Sequence, residues 1–425
     1  MTNIAGYDVF PLTYDDDGKL KTASELSTLL DRAGSMPATD AIFLAHGFRN
    51  DVNDATGVYT RFLTTLRTNL ARPEFAGLAD RRFVIGAIYW PSKTFNETFG
   101  EDEPGTRGLR HPADLKADLK ARLESMKAQD AHGDQKAKLQ RAIDLLPTLE
   151  HDPKAQDEFV PLVLSLVAQA HSDKTEGLDQ IKKKSGSEVL HLLSEPDAAA
   201  AGTRGIGDVL GGIAGGISKF LNLTTWYLMK ERSGTVGATG VADAVRALRA
   251  AHPGVRIHLV GHSLGGRLMA GCAKALTKTP KVQPDSLMLL EAAFSHFGFS
   301  ADNGHKTPGF FRDVISQQVV KGPFLSTFSA EDTVVGYAYS IMSRLALDNT
   351  RGIGDASDEF GGIGRNGPLK TAEVLSGKLQ QPGVAYAFKN AVINNLDGSG
   401  GLIKNHGDVT NEAVTYAFAS ALTLT

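Results

Sequence analysis

The sequence predicts an α/β protein with a mainly parallel, doubly wound sheet and a large helical insertion. Two short, wholly apolar segments, 41–45 and 83–90, are typical of strands buried on both faces of a parallel sheet. Apolar residues recur at helical spacing between these segments, so the order is strand, helix, strand. This alternation stops near residue 93 and returns near residue 235. We therefore expect a core made of 1–92 and 235–425, with a helical cap or insertion at 93–234.

Composition limits the classes of partner. The chain has 425 residues, 42% hydrophobic residues and a formal net charge of -3, which disfavours nucleic acid and favours a small molecule or lipid. Its single cysteine, Cys272, excludes an intrachain disulfide, suits a reducing compartment, and lies where a small buried side chain is expected. The sequence shows neither a secretory signal nor a transmembrane span. We expect a cytoplasmic protein without an integral membrane segment, and the sequence leaves its oligomeric state open.

The first half of the chain contains a predicted strand region, two helices and the insertion. Residues 1–20 are typical of an edge strand or hairpin arm that ends in a turn, and residues 22–33 predict a short helix. A longer helical pattern covers 58–70. Within the insertion, helical stripes run from 114 to 195. The glycine-rich stretch 202–217 predicts either a mobile hinge or lid, or a buried glycine-packed helix.

The second half returns to alternating strands and helices. Its predicted elements are a helix at 239–251, strands at 255–260, 286–292 and 324–329, a long glycine-rich loop at 350–368, a last strand region at 385–396 and a closing helix at 410–422.

The segment 255–269 combines a strand, a very tight turn and a helix. An apolar run ends in Gly261-His262-Ser263-Leu264-Gly265, and helical spacing resumes at once. Small residues on both sides allow a serine to stand on a strained turn with its hydroxyl above the sheet. This is the one G-x-S-x-G match in the sequence. It predicts that Ser263 is a nucleophile.

A serine nucleophile needs an imidazole base to take its proton. After Ser263 the chain has three histidines, His296, His305 and His406. His406 lies in a loop beside a glycine, before the closing helix, and is the predicted catalytic base; the alternative is a loop histidine that caps this helix. His296 follows a predicted strand closely and is a second candidate, expected instead in the wall of the substrate pocket. His262 is expected to be packed.

A carboxylate must orient that imidazole. Asp332 follows the predicted strand 324–329, at the carboxyl end where open α/β sheets place their sites, and is the predicted acid. Its neighbour Glu331 should face elsewhere, and Glu291 is expected inside a strand. Asp302 and Asp397 remain reserve candidates.

The oxyanion of an acyl-transfer reaction needs two backbone donors. The amide of Leu264 follows the nucleophile at the start of a helix, and the amide of Phe48 lies in the turn after strand 41–45. Gly47 allows that turn, although His46-Gly47 could also be a simple tight strand exit. His46 is predicted at the substrate site, together with His296 and with Trp226 from an apolar stretch of the insertion.

These motifs together resemble the α/β-hydrolase superfamily, in particular its lipases and esterases. They are FLAHGF at 43–48, GHSLGG at 261–266, SAED at 329–332 and NHGD at 405–408. The resemblance covers about two thirds of the chain. It implies a mainly parallel eight-stranded sheet, a triad of Ser263, Asp332 and His406, acyl-transfer chemistry and no cofactor. The insertion departs from the family pattern, because family caps most often follow a later strand.

The predicted function is a serine hydrolase that cleaves carboxylic esters of small molecules or lipids. The same triad could serve a thioesterase or a serine peptidase, since the leaving group is recognised elsewhere. A protein of another class, a non-catalytic interaction protein that uses the helical insertion, is a further alternative. No metal site is predicted, because His258 and His262 lie on a strand and its turn with no carboxylate between them.

Overall fold

The computed structural model describes residues 1–93, 112–129, 132–167, 173–195, 212–304, 306–345 and 355–425. It divides into two compact units, the first made of Met1–Ser92, Arg232–Gly336 and Gly361–Thr425, and the second of Lys93–Glu231 and Tyr337–Phe360. The segment Tyr337–Phe360 was assigned to the core from the sequence, whereas it clusters with the second unit. Most of the glycine-rich stretch 202–217, at 202–211, lies outside the described residues.

The first unit is built on a sheet of nine strands within the described ranges. They are β1 (Thr2–Ile4), β2 (Tyr7–Thr13), β3 (Asp40–Ala45), β4 (Phe83–Tyr89), β5 (Arg256–His262), β6 (Ser286–Leu290), β7 (Phe324–Phe328), β8 (Val374–Lys378) and β9 (Ile393–Asp397), in the order β1-β2-β4-β3-β5-β6-β7-β9-β8. β1 pairs antiparallel with β2, and the other pairings are parallel. The predicted α/β class with a mainly parallel sheet is confirmed, with one strand more than expected.

Fourteen α-helices are described. They are α1 (Ala23–Ser35), α2 (Val52–Leu70), α3 (Pro112–Gln129), α4 (Gln135–Leu145), α5 (Pro153–Leu164), α6 (Leu178–Lys182), α7 (Gly186–Ser194), α8 (Ile213–Val236), α9 (Ala242–Ala251), α10 (Leu264–Ala275), α11 (Arg312–Ser316), α12 (Thr333–Leu345), α13 (Ile363–Asn366) and α14 (Glu412–Leu422). None of the described helices is both long and apolar enough to cross a membrane. Cys272 is buried in α10, as the sequence predicted.

The order of the strands places two loops side by side. Along the chain β3 leads to β4 on one side, while β5 lies on the other side of β3 and leads to β6. Connections that leave in opposite directions open a crevice at the carboxyl ends of the two strands. The register sets Ala45 opposite Gly261 and His262 opposite Leu290. The residues that follow β3, β5 and β6 therefore lie at one edge of the sheet.

Two helix caps set the ends of the loops at this edge. Asp51 accepts hydrogen bonds from the amides of Asn53 and Asp54, so that α2 begins shortly after β3. Asn411 caps α14 by accepting from the Val414 amide, and its side-chain amide donates to the Leu402 carbonyl at 2.8 Å. These side chains satisfy backbone groups that a helix end leaves without partners. The chain is thereby held on both sides of the predicted base, His406.

Candidate active site

Ser263 is the only residue between β5 and α10, and its backbone is strained. Its φ of 57° and ψ of -125° are rare for a residue with a side chain, and such a conformation costs about 1–3 kcal/mol. The end of β6 and the segment after it hold Ser263 in place: the Ser263 amide donates to the carbonyl of Leu290, the last residue of β6, at 3.0 Å, and the Ala293 amide donates to the Ser263 carbonyl at 3.0 Å. A tight strand-to-helix turn of this kind projects its side chain above the sheet.

Glycines allow the surrounding backbone to approach the serine closely. A Cβ atom on Gly265 would lie 2.3 Å from the Ala45 carbonyl oxygen, at the end of β3. A Cβ atom on Gly47 would lie 2.8 Å from Ser263 Cβ and 3.3 Å from Ser263 Oγ. The loop that follows β3 therefore packs directly against the serine.

Asp332 and His406 come together from the loops that follow β7 and β9. His406 Nδ1 lies 2.8 Å from Asp332 Oδ2. Asp332 is fully buried, and its other oxygen accepts from the Val335 amide at 2.9 Å in the first turn of α12. The Ser329 hydroxyl oxygen lies 2.8 Å from the Ile403 carbonyl oxygen, so the two loops are in contact.

These contacts fix the tautomer of His406. A carboxylate can only accept, so the proton lies on Nδ1 and the Nε2 lone pair is left available as a base. No hydrogen bond joins Ser263 Oγ to His406 within the described part of the chain. In ligand-free enzymes such bonds are often long and shorten when substrate binds.

His262 connects the nucleophile strand to the His406 loop. Its Nε2 donates to the His406 carbonyl oxygen at 2.8 Å, and the two rings lie 4.7 Å apart between centroids. Burial, followed by the charge of His406, lowers the pKa of His262 to about 3. The ring is therefore neutral and packed. Because His262 directly precedes Ser263, its hydrogen bond joins the nucleophile segment to the His406 loop.

His46, predicted at the substrate site, is held in the loop after β3 by its own contacts. The ring is buried and stacked on Trp90 with centroids 5.7 Å apart. Its Nε2 accepts from the Trp90 amide at 3.4 Å, and its Nδ1 donates to the Gly47 carbonyl at 2.9 Å. Burial lowers the pKa of His46 to about 4, so it is neutral. Its contacts anchor the loop after β3.

The other predicted substrate contacts are also buried. His296 is fully buried and its Nδ1 lies 3.1 Å from the Asn366 side-chain amide. Trp226 belongs to the second unit, in α8, where the Lys230 ammonium lies 5.1 Å from its ring centroid. His305 lies outside the described residues.

The neighbouring acid Glu331 faces away from His406. The Ser329 hydroxyl donates to one of its oxygens at 2.6 Å and the Gly400 amide to the other at 2.9 Å. The hydrogen bond from Ser329, then that from Gly400, lowers the pKa of Glu331. Asp397, a reserve candidate for the acid, accepts instead from the Ser399 amide at 2.9 Å.

Glu291 is a site residue that sequence reasoning missed. It was expected inside a strand, but β6 ends at Leu290 and Glu291 follows with a φ of 43°. Burial, and next the charge of Asp332, raises its pKa well above the usual value. The sequence did contain a signal for this position: Glu291 comes at the carboxyl end of a buried parallel strand, where open α/β sheets place their functional sites.

Ser263, His406 and Asp332 carry the functional groups predicted for a nucleophile, a base and an acid. Within the described ranges, no group of three or more His, Cys, Asp or Glu side chains is arranged to hold a metal ion. No family model, no curated protein and no solved structure matches this chain.

Proposed function

We propose that this chain is a serine hydrolase of the α/β-hydrolase fold that cleaves carboxylic esters through an acyl-enzyme on Ser263. One observation carries the proposal: a strained serine between β5 and α10 shares its sheet edge with a buried aspartate that holds a histidine at 2.8 Å. Strained backbone conformations of this kind are found often at functional sites.

The proposed reaction proceeds in two halves. Ser263 Oγ attacks the ester carbonyl carbon while His406 Nε2 takes the hydroxyl proton. The bond from this carbon to the alcohol oxygen breaks, and the alcohol leaves with the proton from His406. Water then attacks the acyl-enzyme, His406 again takes a proton, and the acid leaves as Ser263 regains its hydrogen. Asp332 stays ionised and stabilises the imidazolium in both halves.

The proposed oxyanion hole consists of the Leu264 and Phe48 amides. Leu264 is the first residue of α10, and the amide of a first helical residue has no partner within its helix. Phe48 follows Gly47 in the loop that packs against Ser263. Each donor of this kind contributes roughly 10²–10³ in turnover.

The proposed substrate is a small-molecule or lipid ester. The test is hydrolysis of short p-nitrophenyl esters, together with covalent labelling by a fluorophosphonate probe. We expect both to be lost in Ser263→Ala and retained in the control Ser35→Ala, at the exposed end of α1. Ester turnover that persists in Ser263→Ala would overturn the proposal.

The same measurements separate the alternatives. Labelling at Ser263 without ester hydrolysis would move the proposal to a thioester or amide substrate, which can then be assayed directly. If the wild-type protein is neither labelled nor active, the non-catalytic interaction protein becomes the better explanation.

A further inference from the structure

Glu291 is held firmly beside the triad acid. Its side chain is fully buried, and its amide donates to the Thr327 hydroxyl of β7 at 3.3 Å. A Cβ atom on Gly364 would lie 2.5 Å from the Glu291 carbonyl carbon, so the segment around α13 packs tightly against it. Leu290 lies opposite Thr327 in the paired strands β6 and β7, so the segments that carry Glu291 and Asp332 leave the sheet side by side. The Glu291 carboxyl group interacts there with the Asp332 carboxylate, the Thr327 hydroxyl and the Ser329 amide.

If both carboxyl groups were ionised, the Glu291 carboxylate would be stabilised only weakly, by the nearby Thr327 hydroxyl and Ser329 amide. Neither of its buried oxygens has a hydrogen-bond partner of ordinary geometry among the described residues. Asp332, in contrast, accepts from His406 Nδ1 and from the Val335 amide. Hydrogen bonds from N–H groups favour the charged form of a carboxyl group. Of the two groups, Asp332 therefore has the hydrogen bonds that better stabilise an ionised carboxylate.

Two carboxyl groups in contact away from water do not both ionise, because their charges repel at low dielectric. Among the described residues, no cation is one of the main influences on the Glu291 carboxyl group. Burial and the Asp332 charge are the main influences, and the smaller contributions of Thr327 and Ser329 act in the opposite direction. A single proton on Glu291 removes the repulsion and turns the contact into a hydrogen bond.

We infer that Glu291 is a positioning residue, which keeps its proton and donates a hydrogen bond to the Asp332 carboxylate. This donor is the third on Asp332, after His406 and the Val335 amide. It fixes the orientation of the carboxylate that holds His406, without itself touching the substrate. The inference rests on the proposed function in one respect, the role of Asp332 as the triad acid.

The test uses the full chain with Glu291→Gln and Glu291→Leu, and Glu331→Gln as the matched control. Infrared difference spectra at neutral pH detect the carbonyl band of a protonated carboxylic acid. We expect this band in wild type minus Glu291→Gln and not in wild type minus Glu331→Gln. A spectrum without this band would overturn the inference.

Kinetics with a p-nitrophenyl ester then separate a positioning role from a purely structural one. The Gln amide still donates, so Glu291→Gln should keep kcat near that of wild type. Glu291→Leu should lower kcat roughly tenfold or more at nearly constant KM, because a hydrogen bond to a charged group is lost. Equal losses in both variants, or full activity in the Leu variant, would refute the positioning role.

Thermal unfolding of each variant shows whether it is folded. If the Leu variant does not fold, the infrared band and the activity of the Gln variant still decide the question. The infrared band can be measured without enzymatic turnover. The proposed hydrolase function and the proposed role of Glu291 are therefore tested independently. A band in a protein without Ser263-dependent chemistry would refute the proposed function, and active protein without the band would refute only the role of Glu291.

Discussion

Replacing Asp332 by Asn tests how the site controls the His406 tautomer. The side chain is buried, with one oxygen on the Val335 amide and the other on His406 Nδ1. The Val335 amide requires an acceptor, so the Asn oxygen will stay at that position. The Asn nitrogen must then face His406 and donate to Nδ1. The imidazole will carry its proton on Nε2, where the lone pair that deprotonates Ser263 is needed.

The expected loss is large because the base is removed without disturbing the fold. In a serine triad this tautomer error lowers kcat by roughly 10⁴, which corresponds to about 5.4 kcal/mol of transition-state stabilisation at 1.36 kcal/mol per tenfold. The α12 cap survives, since Val335 keeps its acceptor. We therefore expect thermal unfolding close to that of wild type.

The assay is kcat for a short p-nitrophenyl ester, with thermal unfolding measured on the same preparation. Asp397→Asn is the matched control, because Asp397 ends β9 at the same edge of the sheet and binds only the Ser399 amide in the described part of the chain. It should keep its activity. A loss of less than about tenfold in Asp332→Asn, or a larger loss in the control, would refute the assignment of the acid.

Two further predictions concern the loop after β3 and the opposite end of the sheet. Gly47→Ala places a methyl group 2.8 Å from Ser263 Cβ. The loop must shift to make room, and this shift should lower kcat roughly 10²-fold. In the control Gly77→Ala the added methyl group meets nothing within 4 Å, so kcat should not change. Burial alone would raise the pKa of Asp40, but hydrogen bonds and charge from His258, Thr39 and Arg81 lower it. A lowered carboxyl pKa stabilises the fold above the unfolded pKa of about 4, and this contribution is lost as the pH falls through the folded value. Asp40→Asn should therefore reduce the free energy of unfolding, measured by urea denaturation, by about 3 kcal/mol at pH 7. If the free energies of unfolding of wild type and variant do not approach each other at acid pH, this prediction is wrong.

The elements that sequence patterns predicted well are those defined by local chemistry. The apolar runs at 41–45 and 83–90 correspond to β3 (Asp40–Ala45) and β4 (Phe83–Tyr89), because a strand buried on both faces has no polar positions. The strand β8 was not predicted, since it lies at the exposed edge of the sheet and its sequence, VLSGK, has no apolar alternation.

The tertiary structure was needed to relate residues that are distant in the chain. Asp332 and His406 are 74 positions apart, and their positions after predicted strands made them candidates, but only the structure gives the 2.8 Å contact between them. Burial likewise depends on what packs around a residue, so only the structure showed that the His46 ring is buried against Trp90.

By itself, the sequence determined the α/β class and the strand-turn-helix around Ser263, because glycine spacing and apolar periodicity act over a few neighbouring residues. Only the tertiary structure showed that the strained backbone of Ser263 makes hydrogen bonds to Leu290, at the end of β6, and to Ala293, and that Glu291 meets Asp332. Both features arise where the carboxyl ends of different strands converge. Both features depend on the burial, in one place, of groups that are far apart in the sequence.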